Sequence, residues 1–156
     1  MIEVDIPGAA TLRLMHLVLD YNGTLALDGE LLDGVAEKMA ELANHLALHV
    51  ITADTHGTVA EKLLGLPCAL HIIGSKEQDS LKDAFVRSLG ADTVAAIGNG
   101  RNDGLMLKSA ALGIALVQAE GASLAAILQA DIVCTDLLDA FDLLLQPARL
   151  KATLRN

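Results

Sequence analysis

Short apolar segments alternate with stretches of helical periodicity along most of the chain. The apolar segments, each about five residues long, include residues 46–52, 69–73, 93–97, 112–117 and 131–135. Between them lie stretches of about twelve residues in which apolar side chains recur at helical spacing. Strands that are apolar throughout are typical of parallel sheets buried on both faces. The alternation therefore predicts an α/β fold with three layers, α/β/α, built on a doubly wound parallel sheet.

The N-terminal segment departs from this alternation. Residues 2–6 alternate apolar and acidic side chains, and a Pro-Gly pair then turns the chain into the apolar run 11–19. This pattern predicts a β-hairpin that leads into a buried strand. Asp33 is expected to be the N-cap of the first helix. Helices are predicted over residues 32–46, 55–64, 76–89, 102–111 and 121–129, with a C-terminal helical segment broken at Pro147.

Length and composition indicate one domain over residues 1–156. A chain of this size can bury a sizeable core without a disulfide or a structural metal. Because 53% of the residues are hydrophobic but only 2% are aromatic, the core must consist of Leu, Ala, Ile and Val. The mean hydropathy of +0.46 also suggests apolar surface that a partner covers, so we expect a homo-oligomer.

The net charge of −9 disfavours nucleic acid and anionic membranes as partners. Cys68 and Cys134 are far apart in sequence and are interpreted as small core residues, so nothing indicates an oxidising compartment. No apolar run approaches the roughly 18 residues of a membrane span, and the N-terminus lacks the pattern of a signal peptide. We therefore expect a cytoplasmic protein without membrane insertion.

Polar residues follow three of the predicted strands. They are residues 20–24 (DYNGT), 52–54 (TAD) and 98–103 (GNGRND). In parallel α/β sheets, ligands bind at the carboxyl ends of the strands, near the point where the strand order reverses. Taken singly, each of these residues would more often be a turn or cap residue. Three such strand ends in one sheet favour a functional site.

These residue types suit phosphoryl transfer. Asp20, beside a Gly-containing turn, could be a nucleophile or a ligand of a hard metal ion, and Thr52 could donate to an oxyanion. Asp103 could supply a second carboxylate to Mg²⁺, which needs only one or two from a protein. A lysine is expected nearby to stabilise the charge of the phosphoryl group. The spacing alone does not choose between Lys76 and Lys82.

Two other interpretations are rejected. The stretch GNGRND resembles a dinucleotide-binding fingerprint at its first two glycines, but Asp103 replaces the third and the stretch follows a late strand. The histidines lack zinc-site spacing on a shared helix face and are interpreted as surface or core residues. They are His16, His45, His49, His56 and His71.

The ordered motifs resemble those of the haloacid dehalogenase (HAD) superfamily of phosphohydrolases. Residues 20–24 match its strand-end DxxGT motif. The resemblance is closest to the phosphorylation domain of P-type ATPases and its small soluble relatives. Residues 51–54 (ITAD) resemble their TGD motif, residues 96–116 resemble the GDGxND segment, and residues 130–144 resemble the segment that closes the domain.

The resemblance implies a role for each matching residue. Asp20 would form an aspartyl-phosphate, and the family pattern of Lys followed by Val and Leu selects Lys82 as the site lysine, with Lys76 as second choice. The implied phosphate-binding residues are Thr52, Ala53, Gly23 and Asn102. The implied ligands of the Mg²⁺ cofactor are Asp20, the Asn22 backbone carbonyl, Asn99 and Asp103.

Two departures from the family pattern indicate slow turnover. Asn22 stands where most phosphatases of the superfamily have an Asp that acts as general acid and base. Losing such catalysis commonly costs a factor on the order of 10²–10⁴ in rate. Asn99 stands where the family usually has a metal-binding Asp, which should weaken Mg²⁺ binding.

The segments 24–52 and 54–74 are too short for an inserted cap domain. An uncapped site implies a macromolecular substrate or a neighbouring subunit that acts as the lid. The leading hypothesis is a phosphohydrolase or phosphotransferase that acts on a phosphorylated small molecule or protein. A non-catalytic binding or regulatory module and a phosphorylation partner of a separate transport protein are the alternatives.

Overall fold

The computed structural model describes residues 1–54 and 57–155. The strands are β1 (Ile2–Val4), β2 (Leu12–Leu14), β3 (His16–Leu19), β4 (Ala26–Leu27), β5 (Glu30–Leu31), β6 (Ala47–Thr52), β7 (Ala69–Ile72), β8 (Val94–Gly98), β9 (Leu112–Leu116) and β10 (Ile132–Cys134). The α-helices are α1 (Val35–Leu42), α2 (Val59–Lys62), α3 (Gln78–Ser88), α4 (Gly104–Ser109), α5 (Leu124–Ile127), α6 (Leu137–Leu145) and α7 (Pro147–Leu154).

Six parallel strands form the central sheet in the order β10-β9-β8-β3-β6-β7. The central sheet starts at β3, continues outward through β6 and β7, and the chain then returns to form β8, β9 and β10 on the other side of β3. This reversal places β3 between β6 and β8, with Leu19 opposite Val50 and Ile97. The doubly wound parallel sheet that the sequence predicts is confirmed, and its switch point lies at the end of β3.

Helices cover both faces of the sheet. On one face, Leu17 and Leu19 pack in a core that includes Phe141 of α6. On the other face, Val18 packs in a second core with Val86 of α3. Successive side chains of β3 point to opposite faces, as the period of a strand requires, and all three are fully buried. This arrangement confirms the three-layer α/β/α architecture.

The predicted strand over residues 11–19 is two strands. β2 pairs antiparallel with β1 in the predicted N-terminal hairpin, whereas β3 belongs to the central sheet. Met15 separates them: its N–H donates to the Thr93 carbonyl (2.8 Å) and its carbonyl accepts from Ala47 (2.9 Å). The backbone at Met15 thus already joins the central sheet, which ends the hairpin.

The ends of several predicted helices are also corrected. Asp33 is not the N-cap of α1, because the helix begins at Val35 and its N-cap is Gly34 in the left-handed region (φ 80°). α2 covers only Val59–Lys62, and residues 55 and 56 of that prediction lie outside the described residues. α5 is a single turn, capped by the Ser123 side chain. Within the described part of the chain, no helix is long and apolar enough to span a membrane.

Candidate active site

The three polar strand ends of the sequence lie side by side, because β6, β3 and β8 are neighbours in the sheet. They open into a cleft with a volume of about 280 Å³. The residues that line this strand-end cleft are Asp20, Asn22, Thr52, Ala53, Asp54, Gln78, Lys82, Asn99, Gly100 and Asn102. Asp103 is fully buried beside the cleft, Gly23 contacts Asn99, and Lys76 is exposed.

Lys82 binds two carboxylates at the base of the cleft. Its Nζ lies 2.6 Å from Asp20 Oδ1 and 2.6 Å from Asp103 Oδ1. The lysine side chain is only 1% exposed, since it lies one turn before Val86 on the buried face of α3. A buried ammonium group is tolerated only with such partners, so the three side chains form one electrostatic unit.

Burial has the largest single effect on the pKa values of Asp20 and Lys82. It raises the pKa of Asp20 to about 7, with the Asp103 carboxylate adding to the rise and Lys82 opposing it. Burial alone would lower the pKa of Lys82, but Asp20 and Asp103 together raise it above its ordinary value. Lys82 therefore stays charged at the base of the cleft.

The loop after β8 fixes the Asp103 carboxylate. Its Oδ2 accepts hydrogen bonds from the backbone N–H groups of Asn99 (3.0 Å) and Gly100 (2.8 Å), while Oδ1 faces Lys82. A Cβ atom at Gly98 would collide with the Asp103 side chain. The glycines of the GNGRND stretch are therefore needed for the loop to wrap closely around this carboxylate.

Asn99 and Asp20 present side-chain oxygens to the same hydroxyl. Thr24 Oγ1 lies 3.4 Å from both Asp20 Oδ2 and Asn99 Oδ1. The Asn99 amide group is oriented by a hydrogen bond from Nδ2 to the Gly121 carbonyl (3.0 Å). A carboxylate oxygen and an amide oxygen thus lie close together at the end of β3, and both are ligand types of hard cations.

A group of three or more His, Cys, Asp or Glu side chains that could hold a metal ion is absent from residues 1–54 and 57–155. The metal ligands expected from the sequence are the carboxylates of Asp20 and Asp103, with amide and backbone oxygens completing the set. This donor set is entirely oxygen and contains two carboxylates, which fits Mg²⁺ and does not fit zinc.

The remaining predicted site residues surround the mouth of the cleft. Thr52 is buried, and its Oγ1 accepts a hydrogen bond from the Asp54 backbone N–H (3.3 Å). Asn102 donates from Nδ2 to Gln78 Oε1 (2.7 Å), which connects the loop after β8 to the first turn of α3. Asn22 is exposed and also lines the cleft.

Gln118, which was not predicted from the sequence, braces the loop that follows Asp20. Its Nε2 donates to the carbonyls of Gly23 (3.3 Å) and Thr24 (3.1 Å), and its Oε1 accepts from Leu137 N–H (2.9 Å). Gln118 follows β9 closely, so the strand-end rule that selected the other residues could have found it.

Gln78 was also missed. It precedes Lys82 by four residues on α3, and residues at this spacing share a helix face. That spacing is the signal that could have placed Gln78 in the cleft once Lys82 was chosen.

No family model matches the chain. It is 56% identical over 63 residues to the uncharacterized protein MJ0073 of Methanocaldococcus jannaschii, a match that covers 40% of this chain and 68% of that protein. It is 39% identical over 41 residues to MJ0072 of the same organism, covering 26% of this chain and 93% of that protein.

Solved structures of phosphatases share the fold. The cobalt-bound deoxy-D-mannose-octulosonate 8-phosphate phosphatase YrbI of Haemophilus influenzae superposes with a TM-score of 0.73 at 14% identity, covering 92% of this chain and 94% of that one. The corresponding enzyme of Moraxella catarrhalis, in complex with magnesium, phosphate and KDO, gives a TM-score of 0.67 at 17% identity, covering 92% and 95%.

A Legionella pneumophila protein described as a HAD superfamily (subfamily III A) hydrolase gives a TM-score of 0.68 at 19% identity, covering 92% of this chain and 88% of that one. These identities establish a shared fold. The closer likeness to P-type ATPases is not tested by these comparisons and stays a prediction. The chain belongs to the same protein family as MJ0073 and MJ0072, and it has the fold of the HAD superfamily hydrolases.

Proposed function

We propose that the protein is a Mg²⁺-dependent phosphohydrolase or phosphotransferase that works through an aspartyl-phosphate at Asp20. The observation that carries the proposal is the buried unit of Lys82, Asp20 and Asp103, which opens onto a polar cleft at the switch point of a HAD fold. A carboxylate in this position can attack phosphorus, and a fixed ammonium beside it stabilises the charge of the transferring group.

In the proposed reaction, an Asp20 oxygen forms a bond to phosphorus while the bond from phosphorus to the leaving oxygen breaks. Lys82 keeps Asp20 oriented and balances negative charge at the base of the cleft. The Thr52 hydroxyl and the backbone N–H group of Ala53 bind phosphoryl oxygens, together with the Asn102 side chain, whereas the Gly23 N–H already donates to the Ala26 carbonyl (2.9 Å). Each of these roles is part of the proposal, and the shared cleft supports them.

The oxygen donors around Asp20 support a Mg²⁺ site formed by Asp20, the Asn22 backbone carbonyl, Asn99 and Asp103. The Moraxella phosphatase contains magnesium and phosphate ions, which supports the same cofactor here. When bound, the ion would neutralise charge on the phosphoryl oxygens. With an amide at position 99, we expect Mg²⁺ to bind more weakly than it would to a third carboxylate.

We propose slow turnover on a small phosphorylated molecule or a phosphoprotein, at a site without a cap domain. Between Thr24 and Thr52 the described chain forms the short β4–β5 hairpin, α1 and β6, which supports a single uncapped domain over residues 1–156. A neighbouring copy of the chain would then complete the mouth of the cleft, as expected for a homo-oligomer.

A regulatory module without turnover is the second candidate, because the amides Asn22 and Asn99 both lie at the site. The Asn22→Asp variant separates the two. An attenuated enzyme should gain on the order of 10²-fold or more in phosphatase rate when the acid and base is restored. A module that has lost catalysis should gain nothing.

A screen of phosphorylated metabolites with Mg²⁺ tests the proposed function. Inorganic phosphate release is measured for the wild type, with Asp20→Asn as the blank. We expect at least one substrate whose hydrolysis requires both Asp20 and Mg²⁺. Release at the same rate by the Asp20→Asn variant would contradict the proposal.

A further inference from the structure

The strand-end cleft contains a second carboxylate besides Asp20. Of the described residues that line it, Asp20 and Asp54 carry carboxyl groups, and Asp20 is bound to Lys82. Asn22, which also lines the cleft, is an amide and cannot take up or release a proton near neutral pH. Asp54 is therefore the one described carboxylate in the cleft that is not already bound to the lysine.

The backbone holds Asp54 next to the expected phosphoryl-binding position. Its N–H donates to Thr52 Oγ1 (3.3 Å), so the two residues are connected directly at the end of β6. Asp54 adopts the left-handed region with φ 31°, which is uncommon for a residue other than glycine.

The Asp54 side chain is oriented but keeps acceptor capacity. Oδ1 accepts from Thr58 N–H and Oδ2 accepts from Val59 N–H, both at 3.3 Å. Each carboxylate oxygen has a second lone pair, so a water molecule can still donate to it. The nearby Lys62 is engaged by both oxygens of Glu30 (2.6 and 2.8 Å), and within the described chain no lysine or arginine forms an ion pair with Asp54.

We propose that Asp54 is the general base for the attacking water, a role that the amide Asn22 cannot fill. This inference rests on the aspartyl-phosphate proposed above. A water oxygen forms a bond to phosphorus, and the Asp54 carboxylate accepts the proton that the water loses. The bond from phosphorus to the Asp20 oxygen breaks, and its electron pair restores the Asp20 carboxylate. The products are inorganic phosphate and protonated Asp54, which returns its proton to solvent.

The same carboxylate also caps the start of α2, and a cap alone would explain its two backbone hydrogen bonds. The Asp54→Asn variant separates the two roles. The single side-chain oxygen of Asn can accept one of these two hydrogen bonds, from Thr58 or from Val59, but Asn cannot take up the proton of water. The variant should therefore stay folded, with a melting temperature slightly below that of the wild type because one hydrogen bond is lost, and it should lose the base.

The experiment measures the decay of the phosphoenzyme. The full-length protein is labelled with acetyl phosphate and Mg²⁺, the acetyl phosphate is removed, and loss of protein-bound phosphate is followed over time. We expect Asp54→Asn to accept label at Asp20 and to release it at least tenfold more slowly than the wild type. The matched control is Asp28→Asn, which changes another Asp with a left-handed backbone (φ 50°). Its phosphoenzyme should decay at the wild-type rate.

Decay of Asp54→Asn at the wild-type rate would overturn the inference and leave the proposed function intact. Failure of a normally folded Asp54→Asn to accept label would also overturn it, because Asp54 would then be needed for the first step. If the wild type itself accepts no label at Asp20, the proposed function fails and the inference fails with it.

Discussion

Lys82 Nζ lies 2.6 Å from Asp20 Oδ1 at the end of the central strand β3, and both side chains are buried. The strand delivers the carboxylate to the edge of the sheet, and α3 delivers the ammonium from the covering layer. Because Lys82 also binds Asp103 at the same distance, one cation connects the ends of β3 and the loop after β8. The site and the packing of the fold therefore depend on the same contacts.

Replacing Lys82 by Met should destabilise the protein strongly. The methionine side chain has a similar length, but it leaves Asp20 and Asp103 buried without a cation. Breaking a buried ion pair in this way costs about 3–5 kcal/mol. Urea unfolding measures the loss, with Lys76→Met as the control, because Lys76 is exposed. Equal stabilities of the two variants would show that the buried unit contributes nothing to folding.

Replacing Gln118 by Glu should loosen the loop after Asp20. The substitution keeps an oxygen to accept from Leu137 but places a carboxylate oxygen against the carbonyls of Gly23 and Thr24. Leaving such part-buried groups without a donor costs about 1–3 kcal/mol in the free energy of unfolding. Gln129→Glu adds the same charge outside the site and serves as the control. A wild-type urea midpoint for Gln118→Glu would contradict this account of the loop.

Gly23→Ala should cost more stability than Gly29→Ala. Both glycines have positive φ angles, 77° and 82°, so alanine suffers the same backbone strain of about 1–2 kcal/mol at either position. A Cβ atom at Gly29 meets open space, whereas one at Gly23 collides with the Asn99 side chain. Thermal unfolding of the two variants isolates the collision. Equal melting temperatures would mean that Asn99 moves aside without cost.

Three histidines on the α3 side of the sheet should make stability depend on pH. His16, His49 and His71 form a chain of ring contacts, with N···N distances of 3.1 and 3.2 Å. Burial, and then the charges that His16 and His71 can carry, lower the pKa of His49 from 6.5 to about 4. As the pH falls below about 6.5, His49 takes up a proton in the unfolded chain but stays neutral in the folded protein.

This contribution to stability is therefore fully present above pH 6.5 and is lost as the pH falls towards 4. The free energy of unfolding, measured at pH 7 and pH 5, should fall more for the wild type than for His49→Gln. His45→Gln changes an exposed histidine and should behave like the wild type. An equal loss in all three proteins would contradict the lowered pKa of His49.

The architecture could be predicted from the sequence because the strands of the central sheet are apolar on both faces. Polar residues then mark where three of these strands end. The family pattern of Lys followed by Val and Leu selected Lys82 over Lys76, and in the structure Lys82 and Val86 share the buried face of α3. The strand-end rule could have selected Gln118, but its contacts with the loop after Asp20 depend on where β9 lies in the sheet, which local sequence does not encode. The prediction of Asp33 as N-cap was wrong because Gly34, in a left-handed conformation, takes that position. The preference for Asp at N-caps does not anticipate such a turn.

The covalent state of Asp20 tests the proposed function most directly. The wild-type protein is incubated with acetyl phosphate and Mg²⁺, and its mass and label are measured. We predict the gain of one phosphoryl group that is stable in acid, labile to hydroxylamine, absent without Mg²⁺ and absent in Asp20→Asn. A wild-type protein that takes up no phosphoryl group, or an Asp20→Asn variant that takes up as much, would contradict the proposal.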